Sequence, residues 1–287
     1  MSTKIVADST SYLGKELLDK YDIKQVSLSI DFEDVSYKET EISSSEFYKK
    51  MKTKGIPKSS QPPIGELVAC FHDIATNGDD VVGVFLSSEM SGTYQTALMA
   101  KNMVLEMLPN ANIQIIDSRS NCMQLGFVIL TAAKAAIEGL STDEIVKKAL
   151  DNIDKSRFLF IPDNLEYLQK GGRIGRASAI LGNLFKIIPI LTVEDGITSI
   201  YKKIRTKQKA VNNMIEKVLE DASNHGGLEE IVVHHIDNIE EAKLVAERLK
   251  DILSINTIAI HDIGPVIGLH VGPGTIAIAY YTKEKMR

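Results

Sequence analysis

The chain contains only two cysteines, Cys70 and Cys122, in 287 residues. Two thiols are too few for a disulfide scaffold or for a cysteine-rich zinc or iron–sulfur site, and a reducing cytosol is the simplest compartment for such a chain. An excess of charge of one sign is also missing. Lys and Arg number 33 against 38 Asp and Glu, a formal balance of −5, which argues against a surface that grips nucleic acid as a whole. The opening MSTKIVADSTSYLGK has no apolar run between a basic start and a cleavage site, so no signal peptide is expected. One uncharged stretch, Ile263 to Tyr281, has nearly the length of a membrane span. Four glycines (Gly264, Gly268, Gly272, Gly274), two prolines and a histidine argue against a spanning helix there.

Several catalytic patterns are missing as well. The residues around Ser91 read EMSGT and lack the first glycine of a nucleophile elbow. Asp8 in VADST resembles a phospho-acceptor aspartate, but the second aspartate expected two residues on is Thr10. No GxxxxGK[ST] loop is present, and the glycines of KGGRIGR follow a helix-like segment instead of a strand, so nucleotide binding lacks support. His234 and His235 are adjacent in an extended run and point to opposite faces, so they cannot share one metal. No metal site and no cofactor are expected.

What is present is an ordinary globular composition, 44% apolar and 25% charged, over a length that suggests about two domains. Short apolar runs alternate with amphipathic stretches, the α/β rhythm. Strands are expected at Lys4 to Ala7, Gln25 to Ile30, Val81 to Leu86 and Ile113 to Ile116. Helices are expected at Tyr12 to Tyr21, after SSEMSGT, at Cys122 to Glu138 and at Thr142 to Ile153. This first domain, residues 1–155, is expected to hold a mainly parallel sheet covered on both faces. A second, residues 156–287, opens with FLFIP and continues through IIPILTVEDGITSIYKKIR, where Asp195 and Gly196 between extended runs predict a hairpin. Helices Lys207 to Ala222 and Ile239 to Leu253 and strands Ile231 to His235, Thr257 to Ile260 and Thr275 to Tyr281 complete a mixed sheet. A ligand site is expected between the two domains.

Three polar clusters follow strands of the first domain: Asp8 to Thr10, Ser87 to Thr93, and Asp117 with Ser118. Such positions share one edge of a parallel sheet, where ligands bind and helix amino termini offer free N–H groups. The same residue types also serve as plain helix caps. Ser59 and Ser60 in SSQPP and His270 in LHVGPG, read as a glycine and proline loop, are further polar candidates, the histidine being equally readable as a buried structural one. From Tyr167 to Ile215, nine basic residues (Lys170, Arg173, Arg176, Lys186, Lys202, Lys203, Arg205, Lys207, Lys209) stand against Glu194 and Asp195. This is a solvated face or a docking surface for an acidic partner or phosphate. The segment lacks interleaved aromatics and no helix-turn-helix pattern accompanies it, so nucleic-acid regulation ranks last. Ala177 to Phe185 reads equally as tunnel wall and as core.

Taken together, VADSTSYL, SSQP, SSEMSGTYQTA, DSRS, DNLEYLQKGGRIGRASAILG and GLHVGPGTIAIAYY resemble the DegV family of bacterial fatty-acid-binding proteins, including its FakB-like members, from about Lys4 to Tyr281. The resemblance implies two α/β domains enclosing a long-chain fatty acid, its carboxylate held by polar groups and its tail in an apolar tunnel. It also implies a cytoplasmic binding protein, itself no catalyst. Such a protein presents the acid to a separate fatty acid kinase, which makes an acyl phosphate for phospholipid synthesis. Carried onto matching positions, Ser59, Ser91 and His270 hold the carboxylate, with an imidazole able to protonate. Arg173, flanked by Lys170 and Arg176, faces the kinase. Ser59 stands where the family more often has threonine, and Pro63 where serine is frequent. The competing expectation is an acyl or phosphoryl hydrolase using Ser91, His270 and Asp8.

Overall fold

In the computed structural model, which describes residues 2–183 and 187–287, the first apolar run forms β1 (Thr3–Asp8). A 3-10 turn (Ser9–Ser11) and α1 (Lys15–Lys20) follow, so the helix expected from Tyr12 is shorter. Asp8 caps the turn through Thr10 N. Tyr12 closes it at φ 53°, a left-handed conformation in which a helix cannot continue. The strand expected over Gln25 to Ile30 is in fact two, β2 (Lys24–Val26) and β3 (Ser29–Asp31), in different sheets. The chain leaves the first sheet at Ser27 and Leu28, where Ser9 Oγ accepts from Leu28 N (3.1 Å) and Ser27 Oγ accepts from Thr40 N (3.3 Å).

β3 pairs antiparallel with β4 (Ser36–Lys38) and, after α2 (Ser44–Lys54), with β5 (Lys58–Ser60). Then come α3 (Ile64–Thr76), β6 (Asp80–Phe85), α4 (Thr93–Met107), β7 (Ile113–Asp117), α5 (Cys122–Ile137) and α6 (Thr142–Lys155), the last started by a Ser141/Glu144 capping box. The main sheet runs β2-β1-β6-β7, all parallel. Val6, Val81 and Phe85 meet Leu67, Phe71 and Ala97 of α3 and α4 on one face. Ile5, Ala7 and Val84 meet α5 on the other. Burial on both faces is why these strands are apolar throughout.

The second domain comprises β8 (Ser156–Ile161), α7 (Glu166–Lys170), β9 (Ile188–Glu194), β10 (Ile197–Ile204), α8 (Lys207–Asn224), β11 (Leu228–His235), α9 (Ile239–Leu253), β12 (Ala259–Asp262), α10 (Pro265–Val271) and β13 (Ile276–Thr282). Its sheet order is β10-β9-β8-β13-β11-β12; only β11 and β12 pair parallel, so the sheet is mixed. Asp195 (φ 53°) and Gly196 (φ 81°) make the expected hairpin turn. Leu159, Ile161, Ile278 and Tyr280 face α8 and α9. Phe158, Phe160, Ala277 and Ala279 face the first domain. Helix α5 lies between the two sheets, touching β1 and β13, and its sequence CMQLGFVILTAAKAAI is correspondingly apolar almost all round. Among the described residues no helix is long and apolar enough to cross a membrane.

LHVGPG is not the loop the glycines and proline suggest. Pro265 at the first helical position starts α10, and His270 stands in its last turn before Gly272 (φ 91°) ends it. Of Ala177 to Phe185, Ala177 and Ile180 are core, whereas Leu184 and Phe185, like Lys186, lie outside the described residues.

One polar cluster ties α8 to the second sheet. Asp221 accepts from Arg157 Nε (2.8 Å) and Tyr280 Oη (2.7 Å), and its other oxygen meets Lys217 Nζ at 3.0 Å. Replacing Asp221 by Ala strands these partners and is expected to cost about 3 kcal/mol in urea denaturation. Tyr280→Phe, which removes one donor, should cost about 1 kcal/mol. Equal, near-zero effects would mean the cluster adds nothing to stability.

Candidate functional site

The polar segment after β6 and Asn121 at the start of α5 meet β5 of the small sheet, the second domain's sheet and α10 around one cavity. It contains about 860 Å³ of atom-free space, part of it open to solvent. Its walls are graded. Gln61, Gly92 and Arg173, all exposed, form the mouth, and the half-buried Ser59, Ser91 and His270 lie next. Leu28, Leu86, Phe158, Phe160 and Val193, each buried, line the interior.

Ser59 is on β5 and His270 on α10. Oγ and Nε2 share a hydrogen bond of 3.0 Å, which joins elements 211 residues apart. The other ring nitrogen, Nδ1, is buried without a partner among the described residues. Gly171 lies directly against it: a Cβ at position 171 would stand 2.2 Å from Nδ1. Burial, and after it the Arg173 charge, push the His270 pKa down to about 4. These surroundings favour the neutral imidazole.

Ser91 precedes α4. Its Oγ shares a 2.9 Å hydrogen bond with Thr93 Oγ1 and accepts weakly from Thr93 N (3.3 Å). Gln61 lies across the start of this helix and donates to Thr96 Oγ1 (2.6 Å). A Cβ on Gly92 would come within 2.2 Å of its Oε1. Arg173 donates through Nε to Met90 O (3.0 Å) and through Nη1 to Gly171 O (2.7 Å), which holds the guanidinium at the mouth. Lys170 and Arg176 are exposed outside the cavity, paired with Glu166 (2.5 Å) and Asp195 (3.1 Å).

Asp8 does not join the site. Its carboxylate accepts from Thr10 N (2.9 Å), Thr10 Oγ1 (2.5 Å) and Leu86 N (2.7 Å), and burial raises its pKa. His270 bonds Ser59 instead of Ser91, and no carboxylate meets its Nδ1 among the described residues. The Ser91–His270–Asp8 relay that a hydrolase needs is not assembled. Among the described residues no group of three or more His, Cys, Asp or Glu is placed to hold a metal ion. Gln61, Gly92, Met90 and Asn121 also line the cavity. SSQPP and SSEMSGT contained three of them, and Asn121 directly follows DSRS without having been singled out.

The family model described as "Uncharacterised protein, DegV family" matches residues 2–283. A DegV domain-containing protein of Clostridium acetobutylicum is 55% identical over 287 residues, the whole of both chains. The crystal structure of DegV of Bacillus subtilis, described as a fatty acid binding protein, superposes with a TM-score of 0.89. It is 34% identical and covers 99% of this chain and 100% of its own. A stearic-acid-binding protein of Eubacterium ventriosum superposes with a TM-score of 0.87 at 28% identity, covering 98% of each chain.

A ring that burial keeps neutral titrates late. The His270 ring signals are expected to titrate with a midpoint near 4 in the NMR spectrum of ligand-free protein. Because this value lies below the ordinary 6.5, the folded state gains stability above 6.5 and loses it as the pH falls through about 4. A midpoint at or above the ordinary value would show the ring to be hydrated or ion-paired.

Proposed function

This chain belongs to the DegV family, and from that membership and the graded cavity we propose that it binds a long-chain fatty acid, carboxylate at the mouth and tail in the interior. The observation that carries the reading is the Ser59–His270 pair at the boundary between the polar and apolar walls. A carboxylate leaving water requires donors in place of its hydration. Ser59, Ser91 and the neutral Nε2–H of His270 supply three of them, and Arg173 places a cation beside them. A bound anion exchanges the Ser59–His270 contact for charge-assisted hydrogen bonds and draws the imidazole pKa back up. The relatives described as binding fatty acids support the same ligand class.

The tail provides most of the affinity. Burying about 14 methylenes at about 0.8 kcal/mol each gives about 11 kcal/mol before ordering costs, whereas the head group mainly sets orientation. We further infer that the protein is cytoplasmic and presents the acid to a fatty acid kinase, which phosphorylates the carboxylate to an acyl phosphate for phospholipid synthesis. Lys170, Arg173 and Arg176 make the docking side, since Arg173 lines the cavity and the pairs of Lys170 with Glu166 and of Arg176 with Asp195 are exposed and exchangeable.

Denaturing extraction of purified protein followed by mass spectrometry is expected to release one long-chain fatty acid per chain. Ser91→Ala, which removes one donor to a charged group, should weaken fatty acid binding about tenfold by calorimetry. A protein that is empty as purified and refuses added fatty acid would sink the reading.

A further inference from the structure

Helix α10 carries His270 but does not cap itself. Its N-cap, Gly264, has no side chain, and Pro265 has no N–H, so the next two amides need partners from elsewhere. The first domain supplies both. Val266 N donates to Glu39 Oε1 (2.8 Å), and Ile267 N donates to Tyr12 Oη (3.0 Å). The two side chains support each other. Tyr12 Oη lies 3.0 Å from Glu39 Oε1 and 3.2 Å from Gly264 O, and Glu39 Oε2 accepts from Ser9 Oγ (2.5 Å). Tyr12 holds this position from a left-handed backbone, φ 53°, a strained conformation for a bulky residue. Gly264 has to be glycine for this grip, because a Cβ there would stand 2.3 Å from the Tyr12 ring.

None of these groups lines the cavity; the helix they hold does, through Val266, Ile267 and His270. We propose that Glu39 and Tyr12 are positioning residues of the ligand site: as an interdomain cap on α10 they set His270 Nε2 against Ser59 and the ligand carboxylate. This rests on the fatty acid reading for the ligand, but not for the placement of His270.

Glu39 is buried and faces no cation among the described residues. Its titratable neighbours are Asp8 from β1, Tyr12 from the loop after it, Tyr48 from α2 and Cys122 from α5. His261 and Asp262 of β12 lie beyond, against Tyr12 and Tyr48. Burial pushes the Glu39 pKa up to about 7. The folded state therefore favours the protonated acid. Stability is fullest below the ordinary carboxyl value and is lost as pH rises through about 7.

Tyr12→Phe and Glu39→Ala are the test variants, with Glu39→Gln as the conservative one because it keeps an acceptor for Val266 N. Binding of a long-chain fatty acid is expected to weaken about tenfold in Tyr12→Phe and Glu39→Ala, measured where both are folded, and to recover most of the loss in Glu39→Gln. The fall in Tm between about pH 5.5 and about 8.5 should flatten in Glu39→Gln. The ligand-free readout is the His270 ring titration, which should move up toward the ordinary value in Tyr12→Phe as α10 shifts and water reaches the ring. Variants that lower Tm but leave both the dissociation constant and the His270 titration unchanged would overturn the proposal. A wild-type protein that binds no fatty acid would instead overturn the ligand reading, with the His270 titration still deciding the placement.

Discussion

The hydrogen bond between Ser59 Oγ and His270 Nε2 forms only if two distant pieces of chain are held still against each other. Ser59 is in the middle of a three-residue strand, and α10 has seven residues, so neither element is stable alone. Each borrows rigidity. β5 pairs with β3, which turns out of the parallel sheet beside Ser9, and α10 rests on Tyr48, whose Oη donates to Ile263 O at 3.2 Å. A Cβ on Gly268 would stand 1.9 Å from that hydroxyl oxygen, so the helix approaches α2 as closely as a glycine allows.

The same close approach explains why the cavity lies where it does. α5 lies between the two sheets, against β1 and β6 on one side and β8 and β13 on the other, and the apolar faces on either side of it are continuous. At its amino end, Asn121 marks the place where the helix begins and the separation stops. The space beyond is closed by loops from the strand ends and by α10. Polar residues collect there because strand ends and helix starts leave amides unpaired, whereas Phe158 and Phe160, stacked with ring centroids 5.3 Å apart, keep the inner wall apolar.

The sheets were legible in the sequence wherever burial on both faces leaves an apolar run, as in DVVGVF or FLFI. The Asp195-Gly196 hairpin was legible because its backbone requires those residue types. The break between β2 and β3 was not, since Gln25 to Ile30 reads as one run and the turn depends on the Ser9 hydroxyl, 19 residues before Leu28. The α10 helix was hidden for a related reason. Its glycines and prolines look like loop punctuation, and the groups that cap it come from Tyr12 and Glu39, more than 220 residues away. Ser91 could be nominated from a polar cluster after a strand, Ser59 from the hydroxyls of SSQPP, and His270 as a histidine among residues without polar side chains. That His270 answers Ser59, that Arg173 lines the mouth, and that Asp8 is consumed by backbone amides are long-range facts with no local trace.

Burial acts on the acids and the imidazoles of this interior in opposite directions and toward the same result. Glu39 is pushed up to about 7, while His270 and His234 are pushed down to about 4 and about 3. Each group is thereby kept uncharged across the interval from about 4 to about 7, because the low-dielectric surroundings tax whichever form carries charge. Below that interval the histidines must take up protons, and above it Glu39 must lose one with no cation to receive the charge, so stability declines on both sides. In the fatty acid complex proposed above, a carboxylate among Ser59, Ser91 and His270 would be the one net charge brought into a neutral region. Its partner would be the guanidinium of Arg173 at the mouth, not a buried ion pair inside. The charged end would then lie where the field of Arg173 and the solvent reach it, with the tail against Leu28, Leu86, Phe158, Phe160 and Val193.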